Sequence, residues 1–388
     1  MRANTIVSIL LILIATACVD ILQFDIVKSS DYGIVIDGFI SDQPGPYTVK
    51  ISKAFDIESK ESIKIPIKIK HLIISDNVGT SEELAEVRSG VYETNAKGIR
   101  GLIGRVYKLK VELLDGKIYE SLPDTIMPTG KLDSLYYSFN GVSNSDGSTS
   151  FGFDIFANSS RGNNFNSRFM WNMIGTFKSD THPEQIPKDR SQCYPIGSGN
   201  CNYLPFCTGL RNKALNSFSL PIYERIAPCE CCTCWYKLFN ESPILSDEYF
   251  SAAQTFTGMK IYRVPINYWI FMYKIHVEIR ILSLSNNTFR FFKAIRDQKN
   301  AVNSLFQPVS GKIPINFIQL NGEETPIQGL FYAIATSNKS LYITRNDLPD
   351  LNIIPSIEAG PGSQAIDAIS CLDLFPNSST IKPAFWID

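Results

Sequence analysis

Seven of the nine cysteines fall between positions 193 and 234, namely Cys193, Cys201, Cys207, Cys229, Cys231, Cys232 and Cys234, with Cys371 downstream and Cys18 near the start. Thiols clustered in this way support two chemistries. Cys229/Cys232 and Cys231/Cys234 both have CxxC spacing and, joined by Cys201 and Cys207, would supply a tetrahedral thiolate site for zinc. In an oxidising compartment the same residues pair as disulfides. Cys18 tips the expectation toward cross-links. It follows Ala15-Thr16-Ala17 at the end of an apolar run that begins at Ile6, and Arg2 is the basic residue ahead of that run. Such a run is too short to span a bilayer and has the form of a signal-peptide core ending in a lipobox-like cleavage site. Residues 1–17 are therefore read as a signal peptide, Cys18 as a lipidated residue that opens the mature chain, and 18–31 as the anchored linker. With Cys18 reserved for lipid, eight thiols are left, an even set. Export removes the reducing environment that keeps thiolates free, so disulfides are expected and no metal is assigned. Connectivity stays open, except that a bridge between the neighbours Cys231 and Cys232 would be strained, which predicts different partners for the two.

Little else in the chain carries recognisable reaction chemistry. The three histidines, His71, His182 and His276, have no partners at metal-ligand spacing. Each reads as a strand or surface residue. Gly360-Pro361-Gly362-Ser363-Gln364-Ala365 imitates a dinucleotide fingerprint but lacks a βαβ context and reads as a loop. Asp347 and Asp350 read as turn residues rather than paired carboxylates. No catalytic residue and no cofactor are assigned, and a binding role is expected rather than an enzymatic one. A formal net charge of -1 gives no electrostatic reason to expect nucleic acid. Beyond the signal, the best apolar run, Tyr268 to Ile281, is interrupted by Lys274, His276, Glu278 and Arg280, so no membrane-spanning helix is expected.

The elements that position these residues are mostly strands. From 32 to 128 short alternating segments are separated by turns; in Tyr107-Lys108-Leu109-Lys110-Val111-Glu112-Leu113 the period of two is strict, and Asp115-Gly116 follows as a hairpin turn. This stretch predicts an immunoglobulin-like or transthyretin-like β-sandwich domain. Two prolines and a glycine between Pro123 and Gly130 mark a boundary. A larger β-rich domain over 129–388 follows, with a Cys-rich insertion at 180–240. One of its strands sets Ile275, Val277, Ile279 and Ile281 on one face and His276, Glu278, Arg280 and Leu282 on the other. One helix stands out: Ser285-Asn286-Asn287 offers an N-cap, and Phe291, Phe292, Ile295 and Val302 recur at helical spacing beside a basic, solvated face. The fold class is thus mainly β. The last segment is expected to pack back through Phe375 and Trp386. Tyr194, Tyr203, Phe206, Tyr223 and Trp235 lie in or beside the insertion and form either a recognition surface or its small core.

Several short stretches follow one another in a characteristic order: Ile34-Val35-Ile36-Asp37-Gly38-Phe39-Ile40, Gly90-Val91-Tyr92, Tyr107-Lys108-Leu109, and Met127-Pro128 followed by Leu132-Asp133-Ser134-Leu135. Farther on come Cys232-Thr233-Cys234-Trp235, Leu284-Ser285 with Phe291-Phe292-Lys293-Ala294, Ser304-Leu305-Phe306, and Gly329-Leu330-Phe331-Tyr332-Ala333. In this order the chain resembles the Bacteroidota outer-membrane lipoproteins of domain-of-unknown-function family 4249. The resemblance implies an outer-membrane lipoprotein, often encoded beside a TonB-dependent transporter of the SusC type, and the function expected from this setting is a surface-exposed binding or accessory subunit of such a transporter or a related outer-membrane complex. It implies no assigned chemistry. A structural or assembly subunit of an outer-membrane machine, binding no solute, is the alternative, and a secreted hydrolase is a third reading. Asp124-Thr125-Ile126 and Asp133-Ser134-Leu135 resemble the acidic-hydroxyl-aliphatic signal for O-glycosylation in such bacteria, which makes Thr125 and Ser134 candidate acceptors.

Overall fold

Strict alternation at 106–113 places Tyr107, Leu109, Val111 and Leu113 on one side of a strand and Lys108, Lys110 and Glu112 on the other. The first four are buried and the rest face water, as a half-wetted strand requires. The computed structural model describes residues 33–53, 67–161, 168–183, 206–213, 222–246, 255–302, 313–355 and 369–388. The signal segment, Cys18 and its linker, Cys193, Tyr194, Cys201, Tyr203 and the Gly360–Ala365 loop lie outside the described residues.

In chain order the first strands are β1 (Ile34–Ser41), β2 (Thr48–Lys53), β3 (Ile69–Asp76), β4 (Ser81–Glu83), β5 (Ala85–Arg88), β6 (Val91–Glu93), β7 (Val106–Leu113), β8 (Ile118–Ser121) and β9 (Asp124–Thr125). Next come β10 (Lys131–Ser143), β11 (Thr149–Ser160), β12 (Arg168–Asp180), β13 (Leu210–Lys213), β14 (Ile222–Arg225), β15 (Thr233–Phe239), β16 (Ile244–Leu245), β17 (Thr255–Pro265) and β18 (Lys274–Leu284). Helix α1 (Asn286–Val302), β19 (Phe317–Gln319), β20 (Ile327–Thr344) and the single turn α2 (Cys371–Leu374) complete the described elements. The protein is mainly β, with one long helix and with cysteines gathered in or against the insertion.

One nine-stranded sheet forms the backbone of the molecule, in the order β15-β12-β18-β20-β1-β2-β6-β5 with β16 beside β12. The Pro123–Gly130 stretch contains β9 and leads into β10, and the large sheet runs past it because β20 joins β18 on one edge and β1 on the other. That β1–β20 contact is the one parallel pairing among the described strands, with Ile36 opposite Gly329. At the β1-β2-β6-β5 end the sheet is faced by β19-β8-β7-β3-β4, with β9 beside β7. Ile36, Ile40, Val49 and Ile51 meet Leu72, Ile74, Leu109 and Tyr119 between the two layers. At the other end β10-β11-β17 packs on the same sheet, and Phe153, Ile155, Phe256 and Val264 meet Trp171, Met173, Val277 and Ile343.

The opposite face of the large sheet carries α1. Ser285 caps the helix by accepting from the Thr288 amide at 3.2 Å, and Phe289 and Phe292 turn toward Met170, Leu282, Leu284 and Ile334 on the strands. Helical spacing in the sequence singles out Phe291 and Phe292; Phe289 is the more deeply buried ring of this face. No helix among the described residues is long and apolar enough to cross a membrane.

The C-terminal segment closes over the β15-β12-β18 end as its aromatic residues predict. Phe375 sits edge-on to Phe177 and Trp269 and close to Tyr236, while Phe385 stacks on His276 at 4.3 Å and Trp386 is buried near Tyr342. A disulfide from Cys234 on β15 to Cys371 fixes the start of this strap. Removing it with the pair Cys234→Ser and Cys371→Ser should cost about 3 kcal/mol, since the link closes a long loop in the unfolded chain. Urea unfolding and limited proteolysis check this; an unchanged midpoint with a protected tail would show that the aromatic contacts hold the strap alone.

Candidate functional site

Alternation along the large sheet selects which side chains point away from the two sandwich cores. On β12 these are Met170, Asn172 and Ile174; on β18 they are Leu282, Arg280 and Glu278; on β20 they are Tyr332, Ile334, Thr336 and Asn338. Register then sorts them into rows. Asn172, Arg280 and Asn338 lie side by side across three strands, and the next row holds Met170, Leu282 and Thr336. Together they floor a cleft of about 680 Å³.

Two loops and the helix wall it. Residues 41–47 form one side, where Tyr47 Oη donates to the Ser41 carbonyl at 2.7 Å and the Thr336 amide donates to Asp42 Oδ1 at 2.9 Å. Residues 239–243 form the other, held by the Met173 amide donating to Asn240 Oδ1 at 2.9 Å and by Lys299 Nζ of α1 donating to the Glu241 carbonyl at 2.8 Å. Phe292 and Ile295 of α1 close the apolar end beside Phe39 and Tyr332. The site is therefore amphipathic and set on strands, with its loops tied by hydrogen bonds rather than left loose.

Glu278 and Arg280 are the charged centre of the floor. Arg280 Nε donates to Glu278 Oε1 at 2.6 Å, and Asn338 Nδ2 donates to the same oxygen at 3.1 Å. Burial pushes the Glu278 carboxyl up, but the donors Arg280 and Asn338 outweigh it and hold the group below the usual carboxylate range. Next along β18, burial pushes the His276 imidazole below its ordinary value while Glu278 opposes the shift. His276 is covered by the strap and does not line the cleft.

The residues singled out from the sequence are distributed elsewhere. Cys207 is bonded to Cys231 and Cys229 to Cys232, so the adjacent cysteines have different partners, and Cys234 reaches Cys371. Among the described residues no group of three His, Cys, Asp or Glu side chains is arranged to hold a metal ion. Trp235 is buried on β15, where its backbone exchanges hydrogen bonds with Ser379 of the strap. Phe206 begins a short 3-10 turn and Tyr223 lies on β14. Thr125 lies on β9 between two buried residues, Asp124 and Ile126, and Ser134 on β10 accepts from Asn158 Nδ2 at 2.8 Å. Asp347 accepts from the Thr344 amide at 2.7 Å and from Tyr137 Oη at 2.7 Å, as a turn residue would. His71 pairs with Glu83 on the surface.

The cleft itself goes beyond what the sequence predicts. Alternation places Glu278 and Arg280 on one face of a strand and no more, yet two charged residues in the middle of a strand that is central in its sheet are a signal in themselves. Their neighbours Asn172 and Asn338 come from strands far apart in the chain, which alternation alone cannot bring together.

A β-rich protein with two sandwich cores on one shared sheet, a disulfide-tied insertion and an amphipathic cleft on the outer face of that sheet is the type of molecule that results. The chain matches the family described as Domain of unknown function (DUF4249) over residues 19–340 and belongs to that family. No curated protein matches it.

Proposed function

We propose that the protein is a non-enzymatic binding subunit, anchored in the outer membrane through an acyl chain on Cys18, that works beside a TonB-dependent transporter of the SusC type or a related outer-membrane complex. The observation that carries the binding role is the cleft, whose polar row and apolar end sit on three adjacent strands of one sheet. Concave sites of this size with a few converging polar groups suit a ligand. The outer-membrane setting and the transporter rest on the sequence resemblance and on the lipobox-like Ala15-Thr16-Ala17-Cys18. Glu278, the carboxylate of the floor, is engaged by Arg280 and Asn338, which suits a fixed recognition group better than a proton carrier.

Two measurements test this reading. Cys18→Ala should move the protein from the membrane to the soluble fraction; full retention in the membrane would overturn the lipid anchor. Co-purification from detergent-solubilised outer membranes, read by mass spectrometry, should recover a SusC-type transporter. Recovery of an assembly or secretion partner instead would favour a structural subunit.

A further inference from the structure

The cleft offers hydrogen-bond donors in excess at one end and an apolar well at the other. Arg280 uses Nε on Glu278, and among the described residues neither of its Nη groups has a protein partner; the Asn172 side chain beside it has none either. A guanidinium carries five N–H donors in a fixed fork, so most of that capacity faces the cleft. The Glu278 oxygen nearest it already accepts twice, from Arg280 and from Asn338. Glu241, the other carboxylate at the cleft, is at the rim and paired with Lys299. What the floor lacks is therefore an acceptor that can take two parallel N–H groups.

Two residues along β18 on the same face, about 7 Å away at the ordinary strand rise, Leu282 begins the apolar end. Met170, Leu282 and Ile334 are already covered there by protein, and the half-buried rings of Phe39, Phe292 and Tyr332 packed against them are the apolar surface that the cleft exposes. Phe292 and Tyr332 meet T-shaped at 5.5 Å, which holds this apolar end in shape.

We infer that the cleft binds a carboxylate carried on an apolar body, with the carboxylate bidentate on the Arg280 Nη groups beside Asn172 and the body lying against the half-buried rings of Phe39, Phe292 and Tyr332. The inference deepens the binding role proposed above and rests on it. Arg–carboxylate pairs of this kind gain both strength and orientation from their two parallel bonds. The partial exposure of Arg280 lets a ligand carboxylate replace water there without removing an existing protein contact. A free fatty acid and the C-terminal residue of a peptide ending in an apolar side chain share this chemistry.

Calorimetric titration of the purified protein with decanoate and decanamide, and with N-acetyl-Phe-Leu as free acid and as C-terminal amide, tests it. At least one acid should bind roughly tenfold or more tightly than its amide, a difference of about 1.4 kcal/mol. Preference for decanoate would identify a lipid-like source and preference for the peptide acid a chain terminus. The double variant Arg280→Gln, Glu278→Gln keeps the floor neutral and should abolish the discrimination, while Asn172→Ala, a milder change, should reduce it if the first variant proves unstable. Equal binding of acids and amides would overturn the carboxylate inference and leave the binding role standing. Absence of binding by all four probes would also overturn it, whereas co-purification judges the wider reading independently.

Discussion

Replacing Gly329 with alanine should lower the unfolding free energy by about 4 kcal/mol, more than a single methyl group costs at an ordinary site. Gly329 has φ of 110°, which L side chains rarely adopt, and a Cβ placed there would overlap the Ile36 carbonyl oxygen. The clash is with backbone, so no side-chain rotation relieves it. It falls on the parallel pairing of β1 with β20, where the two ends of the large sheet join. Gly258 supplies the comparison: its φ is also positive, at 64°, but its Cβ would meet nothing closer than Tyr136 Oη at 3.8 Å. Gly258→Ala should therefore cost only the backbone term, about 1 kcal/mol. Urea unfolding of both variants decides the matter, and equal losses would show that close approach at Gly329 carries no weight.

Asp124→Ala should cost about 3 kcal/mol, because it strands buried donors. Asp124 Oδ2 accepts from the Ala333 amide at 2.8 Å and from Thr288 Oγ1 at 2.9 Å, tying β9 to β20 and to the first turn of α1. Asp124→Asn, which keeps an acceptor oxygen, should lose much less. The two variants also differ in pH dependence. Burial pushes the Asp124 carboxyl above its ordinary value, although Ser285, Ala333 and Thr288 pull it back in part. A raised folded-state value means that the protonated form is favoured by folding. Its contribution is fully present below the unfolded value, about 3.9, and is lost as pH rises through the raised folded value. Asp124→Asn cannot ionise, so its stability relative to the native protein should improve as pH rises from about 4 toward about 7. A constant difference across that range would sink the assignment.

Much of the architecture is legible in the residues themselves. Tyr107-Lys108-Leu109-Lys110-Val111 specifies a strand with one wet face because successive side chains point to opposite sides, and Ser285 specifies a helix start because its hydroxyl satisfies an amide left free there. The separate partners of Cys231 and Cys232 follow from the geometry of a disulfide between neighbours. Phe375 and Trp386 are rings large enough that a tail containing them must cover something apolar.

The cleft is not legible there, and the reason is also physical. Alternation tells which side of its own strand a residue takes, but not which strand lies alongside. That neighbour is set by closure of long chain loops and by packing between layers. Arg280 acquires its role only when β12 and β20 bring Asn172 and Asn338 to its two sides. Gly329 likewise reads as one more glycine until Ile36 arrives beside it. Local pattern thus suffices for the mainly β class, the long helix, the separate partners of Cys231 and Cys232 and the family. The joining of β18 to β1 through β20, and with it the choice of which polar residues share a face, belongs to the folded chain, because hydrogen-bonded register between distant segments depends on contacts that no local pattern encodes.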